Sequence, residues 1–381
     1  MISCGEPSGD LYAGALTTAL RAARPDVPVF GFGGDRMQQA GADLVGHFAG
    51  LSVTGLSEVV RTLPRTWRMY RTLVAEAERR RPDVFVAIDF ADFNFRLGQA
   101  LHARGIPVVY YISPQLWAWR PGRIHTMRRF VRRVLVIFPF EPAIYERAGI
   151  PVTFVGHPLV ELIPPPADRT TFLVARGLRA EGPTVALLPG SRHNEVHQTW
   201  PVLVEAARRL QAELPDIQFV VARAPGLPDA LFDVPAGTSL RIAFLEGETD
   251  AVLASSDVVV TASGTATVQT ALHGTPMVIV YRLSPLTYRL GRPFVSVDTF
   301  GMVNLIAGRR IVPELIQDDF TAPRVVHEVR RYLDDPAYAA EVRSALMGVR
   351  QALGGHGASA RAAEEVLAVA HADGDSQRVR S

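Results

Sequence analysis

Two carboxylates close a single apolar run. In Pro82-Asp83-Val84-Phe85-Val86-Ala87-Ile88-Asp89-Phe90-Ala91-Asp92-Phe93-Asn94, β-branched and aromatic residues without alternation end at Asp89, and Asp92 follows three residues later. A proline opens the run and ends the Arg-rich helix before it. The pattern predicts a strand of a parallel sheet covered on both faces. Open α/β sheets bind ligands outside the carboxyl ends of their strands, so Asp89 is a candidate general base. The competing reading is that Asp89 or Asp92 caps the helix expected to begin near Phe93. Position favours capping for Asp92 and chemistry for Asp89.

Two further stretches suit an anion. Leu187-Leu188-Pro189-Gly190-Ser191-Arg192 lies after an expected strand and before a helix with Glu195 in its first turns. Gly190 allows close backbone approach, the helix start offers unpaired N–H groups with Ser191, and Arg192 adds a fork of donors. The alternative is a tight turn with a solvated Arg. Thr261-Ala262-Ser263-Gly264-Thr265-Ala266-Thr267-Val268-Gln269 repeats the arrangement with hydroxyls and a glycine; an ordinary Ser/Thr cap is the compatible alternative. Either loop alone is weak evidence. Both at carboxyl edges of parallel strands in one domain point to a nucleotide diphosphate. Neither matches the dinucleotide fingerprint or the P-loop, which counts against NAD and ATP.

Asp89 with Asp92 resembles a metal pair only loosely, and no His/Cys cluster has metal-ligand spacing, so the expectation is no metal and no cofactor. His157, in Gly156-His157-Pro158, could line a cleft near the hinge; His47, His102, His125 and His273 read as structural. Arg61 to Arg71 interleaves Arg with Leu63, Trp67, Met69 and Tyr70. It reads equally as an interfacial segment meeting anionic lipid or as an amphipathic helix packed on the sheet.

These groups must be positioned by alternating strands and helices. Expected strands run over 27–32, 84–88, 108–112, 134–138 and 152–155, then 185–188, 217–222, 240–244, 258–261 and 277–281. Such βαβα order builds parallel sheets. The 381 residues suggest two domains on a prior of ~150 residues each. Pro164-Pro165-Pro166 is the best linker. From Phe320 a helical region runs to about Leu353, Gly354-Gly355-His356-Gly357 breaks it, and a last helix spans 358–371. At the other end, Gly5-Glu6-Pro7-Ser8-Gly9-Asp10 reads as a strand-to-helix loop in which Ser8 or Asp10 caps a helix over 11–22. Only a stub precedes it, so the first strand reads as truncated, with the start upstream.

Composition narrows the chemistry. Net charge is +2, which gives no reason to expect nucleic acid. The chain has no Lys, which removes Schiff-base mechanisms. Its one cysteine, Cys4, excludes an intrachain disulfide and fits a reducing compartment. No apolar run approaches the ~20 residues of a membrane span, so any membrane contact is expected to be peripheral.

Together the motifs resemble the lipid-A-disaccharide synthase family, inverting glycosyltransferases (family 19) of the GT-B fold. The residues that carry the resemblance are 5–10, 82–89 with Asp92-Phe93-Asn94, Ser113-Pro114-Gln115-Leu116-Trp117-Ala118-Trp119-Arg120, Phe138-Pro139-Phe140-Glu141, Gly156-His157-Pro158, Leu188 to Arg192, Ser263 to Ala266, and Val303-Asn304-Leu305-Ile306-Ala307-Gly308-Arg309. They run in family order to about Glu314. The resemblance implies two Rossmann-like domains facing a cleft: an acceptor domain over 1–160, a donor domain over 161–345, helices over 346–371 returning to the first domain, and a disordered tail over 372–381. It implies transfer of 2,3-diacylglucosamine from UDP-2,3-diacylglucosamine to 2,3-diacylglucosamine 1-phosphate, without metal. Asp89 matches the general base, with Glu6 near the acceptor. Gly190, Ser191, Arg192, Glu195, Ser263, Gly264, Thr265, Gln269 and Asn304 fall on the donor side. Ser8, Asp10, Trp67, Trp117 and Arg120 fall on the acceptor or membrane side. Family members lie on the cytoplasmic face of the inner membrane and tend to dimerise.

One departure stands out. The family usually carries Glu at the turn where Gln269 stands and grips the ribose with it; Gln accepts a hydrogen bond without charge, so a cost in donor affinity is expected. Two competing functions share the motifs: a UDP-N-acetylglucosamine 2-epimerase, and a nucleotide-sugar sensor without catalysis.

Overall fold

The structure, a computed structural model, describes residues 1–49, 56–114, 122–235, 237–282 and 301–378, with 56–62 and 373–378 described as backbone. The chain forms two compact units, Met1–Glu161 with Leu353–Ser381, and Leu162–Ala352.

The first unit is built on seven parallel strands: β1 (Ile2–Ser3), β2 (Phe30–Gly33), β3 (Asp43–His47), β4 (Phe85–Ile88), β5 (Val108–Tyr111), β6 (Arg133–Val136) and β7 (Val152–Phe154), in the order β3-β2-β1-β4-β5-β6-β7. Central strands are apolar throughout because helices cover both faces; Phe85, Val86, Ala87 and Ile88 are all buried. The edge strand β3 lies outside the expected set: Asp43-Leu44-Val45-Gly46-His47 carries polar and glycine positions that an edge tolerates and a centre would not. The order reverses between β1 and β4, which pair as Ile2 with Val86 and Ser3 with Ala87. β1 is two residues long and holds a central place in the sheet.

The first helix begins at Pro7, not at Leu11, and spans Pro7–Ala23. Proline suits this position, since its φ is preset and its missing N–H has no partner to lose. Neither Ser8 nor Asp10 caps it. The buried Asp10 carboxylate instead accepts from the backbone N–H of Gly34 (2.8 Å), Arg36 (2.9 Å) and Met37 (3.1 Å), closing the start of the next helix, Asp35–Gln39. The last helix, Ala358–Arg378, packs on Pro7–Ala23. It is tied down where Glu161 accepts from the N–H groups of Gly357 (2.7 Å) and Ser359 (3.0 Å). It does not end at His371, so residues 372–378 are helical rather than a loose tail. The helix runs on through Gly374 at a cost of about 1 kcal/mol, because extending turns already formed adds one bond for each residue fixed.

The second unit holds β8 (Thr184–Leu188), β9 (Gln218–Arg223), β10 (Ile242–Glu246), β11 (Val258–Ala262), β12 (Met277–Tyr281) and β13 (Glu314–Ile316), all parallel, in the order β10-β9-β8-β11-β12-β13. β13 also lies outside the expected set; three residues are too few for a periodic signal. This sheet reverses between β8 and β11, where Leu187 pairs with Val260 and Leu188 with Thr261. The helical region after Phe320 is two helices, Ala322–Asp334 and Pro336–Ala352, parted by Pro336.

Candidate functional site

Each unit places its chemistry-bearing residues at the point where its sheet reverses, which is where open α/β sheets take ligands. In the first unit this is the pair of strand ends at Ser3 and Ile88. Asp89 follows β4 at once and is half-buried. Asp89 and Phe90 both adopt left-handed backbone, with φ of 44° and 49°, and Ile112, after β5, has φ of 57°. Each such residue costs on the order of 1–3 kcal/mol and persists only where its surroundings hold it. Here they do. The buried amide of Asn94 donates to the carbonyls of Ser3 (3.0 Å), Ile88 (3.1 Å) and Asp89 (2.9 Å). The Tyr110 hydroxyl donates to the Asp89 carbonyl at 3.1 Å, and the Asp89 N–H donates to the Ile112 carbonyl at 3.2 Å.

The Gly5-Glu6 loop lies against the same turn. A Cβ on Gly5 would meet the Phe90 ring at 2.4 Å, so only glycine lets the loop pass this close. Glu6, half-buried, precedes the first helix in extended backbone. Burial, then the Asp89 charge, push the Tyr12 and Tyr110 hydroxyls up, so both remain neutral donors. Asp92 does not share this position. It stands in the first turn of the Ala91–His102 helix, whose N-cap is Phe90, and there it is exposed and pairs with Arg123. Of the two carboxylates, only Asp89 stands at the reversal.

In the second unit, the two candidate anion loops follow the paired ends Leu188 and Thr261 and are therefore neighbours. The helix His193–Glu213 starts right after Arg192. Glu195 reaches back to accept from the N–H of Ser191 (3.0 Å) and of Arg192 (3.3 Å), the reciprocal half of a capping box. Gly190, at φ 127°, makes room, since a Cβ there would lie 2.7 Å from Glu195 Cβ. Glu195 thus caps the helix and occupies the Ser191 and Arg192 amides in this structure. Arg192 is about half exposed, its Nη1 3.3 Å from Glu195 Oε1. On the other loop, Gly264 and Thr265 are exposed, and the helix Thr265–Leu272 begins there, which sets its first turn of N–H groups just after the strand end. Ser263 extends the sheet, its N–H donating to the Val280 carbonyl at 3.0 Å.

Other expected site residues have structural duties. Asn304 is buried and its amide is fully used: Nδ2 donates to the Val312 carbonyl (3.0 Å) and to Glu314 (2.7 Å), and Oδ1 accepts from the N–H of Ile311 (2.8 Å) and Val312 (3.1 Å). Its side-chain amide ties the Met302–Ala307 helix to the 311–314 segment of the second unit. Asp10 is spent on the Asp35–Gln39 helix. Ser8 is half-buried in the first turn of its helix. His157 is buried, accepts from the Leu159 N–H through Nδ1 at 3.2 Å, and is pushed down to about 3 by burial, so it is neutral at pH 7. Gln269 is half-buried and donates through Nε2 to Asp250 at 2.7 Å. Trp117 and Arg120 lie outside the described residues.

The Arg-rich segment is helical. It belongs to a helix over Leu56–Arg80, in which Leu73, Val74 and Ala77 are buried against the sheet while Leu63 and Trp67 are 53% and 58% exposed. Sequence reasoning missed the roles of Asn94, Tyr110, Asp250 and Glu314. A buried Asn a few residues after a strand end is the one local signal among them.

The model of the lipid-A-disaccharide synthetase family matches residues 1–366. The lipid-A-disaccharide synthase of Geobacter sulfurreducens is 43% identical over 369 residues, covering 96% of each chain. Among solved structures, the glycotransferase of kitacinnamycin aligns with a TM-score of 0.62 at 20% identity, over 97% of this chain and 98% of that one. A UDP-GlcNAc 2-epimerase from Neisseria meningitidis bound to UDP-GlcNAc aligns with a TM-score of 0.67 at 11% identity, over 96% and 98%. Likeness at these identities carries the fold alone, and that fold serves a transferase and an epimerase alike. The sequence match decides between them, and the chain belongs to the lipid-A-disaccharide synthase family, glycosyltransferases of the GT-B fold.

Proposed function

We propose that the chain transfers 2,3-diacylglucosamine from UDP-2,3-diacylglucosamine to the 6-hydroxyl of 2,3-diacylglucosamine 1-phosphate, giving the β-1,6 disaccharide 1-phosphate and UDP. The observation that carries the reading is the division of chemistry between the two sheet reversals: a carboxylate on left-handed backbone at one, the Gly264–Thr265 helix start and the Arg192 guanidinium at the other. Asp89 takes the proton of the attacking hydroxyl as the new C–O bond forms. The bond from the sugar carbon to the diphosphate breaks, and its electron pair leaves with UDP. One displacement inverts the anomeric carbon, so a single base suffices and no covalent intermediate is needed. Arg192 and the amides at Gly264–Thr265 stabilise the charge building on the diphosphate; fixed donors aimed at developing charge usually contribute more to rate than any other device in such a site. Glu6 orients the acceptor beside Asp89. No metal or cofactor is required in this scheme.

Both substrates are acylated, so the enzyme works at a lipid surface. No described helix is long and apolar enough to cross a membrane. Leu63 and Trp67, exposed among Arg65, Arg68 and Arg71, suit insertion into an anionic leaflet, here the cytoplasmic face of the inner membrane. Assembly as a homodimer rests on the family resemblance. The test is incubation with both acylated sugars in detergent without added metal. Disaccharide 1-phosphate and UDP in equal amounts are expected; UDP with an epimerised sugar, or no turnover with UDP bound, overturns the reading.

A further inference from the structure

Asp250, in the Thr249–Ala254 helix, lies beside the Thr265–Leu272 helix that opens at the second anion loop. Its Oδ1 accepts from Gln269 Nε2 at 2.7 Å and lies 2.8 Å from His273 Nε2. Gln269 and His273 are four residues apart and share one helix face. The His273 side chain is 5% exposed and that of Asp250 29%. Burial works against charge on Asp250, but the hydrogen bonds from His273 and Gln269 outweigh it and hold the carboxyl below its usual range. Asp250 is therefore ionised at neutral pH and can only accept. His273 must donate to it through Nε2–H.

A glutamine amide has a donor end and an acceptor end, and left to itself it turns over between them. A carboxylate tolerates only the donor end. Asp250 thus holds the NH2 of Gln269 and turns its Oε1 away. Among the described residues, nothing donates to that oxygen. Gln269 stands about one helical turn, roughly 5–6 Å, behind Thr265. That is a fitting step from amides that meet a diphosphate to a group that meets the adjoining ribose.

We propose that Asp250, held in turn by His273, is a positioning residue that locks Gln269 with its carbonyl oxygen presented as acceptor to the vicinal hydroxyls of the bound nucleotide. Orientation then supplies at residue 269 what a carboxylate would supply by charge. The proposal rests on reading Ser263–Gln269 as part of the nucleotide site. It also explains why a glutamate is unsuited to position 269 in this chain: it would meet the Asp250 carboxylate head-on.

The test is calorimetric binding of UDP and of 2′,3′-dideoxy-UDP to the full chain. The wild type is expected to prefer UDP by about tenfold, the worth of one neutral hydrogen bond. In Asp250→Asn, where the neutral partner accepts either end of Gln269, the preference should fall to about threefold or less. Gln269→Glu should weaken UDP by about tenfold. The double variant Asp250→Asn/Gln269→Glu should return to within about threefold of wild type, because the amide introduced at position 250 can donate to the carboxylate introduced at 269; a misfolded chain cannot give this rescue. An unchanged UDP preference in Asp250→Asn, or no rescue in the double variant, overturns the proposal while leaving the nucleotide site in place. Failure of the wild type to bind UDP overturns both.

Discussion

The side-chain amide of Asn94 donates to the main-chain carbonyl of Asp89 at 2.9 Å, and so fixes from five residues away the turn on which the candidate base stands. The same nitrogen reaches β1 at Ser3, so one side chain ties both strands of the sheet reversal to the left-handed Asp89–Phe90 step. Asn94→Ala should therefore lose more than packing. Unfolding free energy is expected to drop by about 2–3 kcal/mol, since buried carbonyls lose their donor. Turnover should fall by about 10- to 100-fold as Asp89 loses its aim. Urea denaturation and initial rates check the two separately; a stability loss with normal turnover would reduce Asn94 to a fold residue.

Asp89→Asn keeps the size of the side chain and removes its basicity. Turnover is expected to fall by ~100-fold or more, the scale of a lost general base, with UDP affinity unchanged. Wild-type rates in a coupled UDP-release assay would exclude Asp89 from proton transfer.

Arg192 and Asn304 should separate cleanly, although the sequence groups both with the donor. Arg192 is half exposed, and its pairing with Glu195 is of the surface kind that contributes about 0–1 kcal/mol. Arg192→Ala is expected to lower turnover and the donor kcat/KM by about tenfold or more, with little change in Tm. Asn304→Ala leaves the Ile311 and Val312 amides and the Glu314 carboxylate short of a partner in the core, at a cost of about 3 kcal/mol. Its folded fraction should bind UDP as before. Thermal melts alongside UDP titrations and initial rates read both effects.

His157 makes stability depend on pH. Burial lowers it from 6.5 to about 3, so below pH 6.5 the unfolded chain takes up a proton that the folded chain refuses. Stability therefore declines as pH falls through the window from 6.5 toward 3, by about 2 kcal/mol between pH 6.5 and 5. His157→Asn should flatten that slope in urea titrations at the two pH values. An identical slope in the variant would assign the acid sensitivity elsewhere.

Leu63 and Trp67 are exposed on the helix whose later turns are buried. Replacing both with Ser should abolish sedimentation with vesicles of anionic phospholipid while lowering Tm by no more than a few degrees, because both side chains are more than half exposed and Trp67 meets the core through its stacking on Tyr70. Equal sedimentation of variant and parent would remove this helix from the membrane contact.

Local pattern by itself determined much of this molecule. Apolar runs such as Phe85–Ile88 and Val258–Ala262, spaced by amphipathic helices, dictate parallel strands, because only a sheet covered on both faces buries such runs. The placement of Gly190, Gly264 and Asp89 at strand ends was legible because each closely follows a strand and needs no distant partner to be placed there. What tertiary structure decided was how polar groups are spent. Asn304 and Asp10 resemble ligand residues in sequence, but their hydrogen bonds go to Ile311, Val312 and Glu314, and to Gly34, Arg36 and Met37. Asn94 finds Ser3 across 91 residues, and Gln269 finds Asp250 across 19. The edge strands β3 and β13 exist only because a neighbour was already in place to pair with them. Periodicity fixes which face of an element is buried, but strand order fixes which donor meets which acceptor, and strand order is a property of the whole chain.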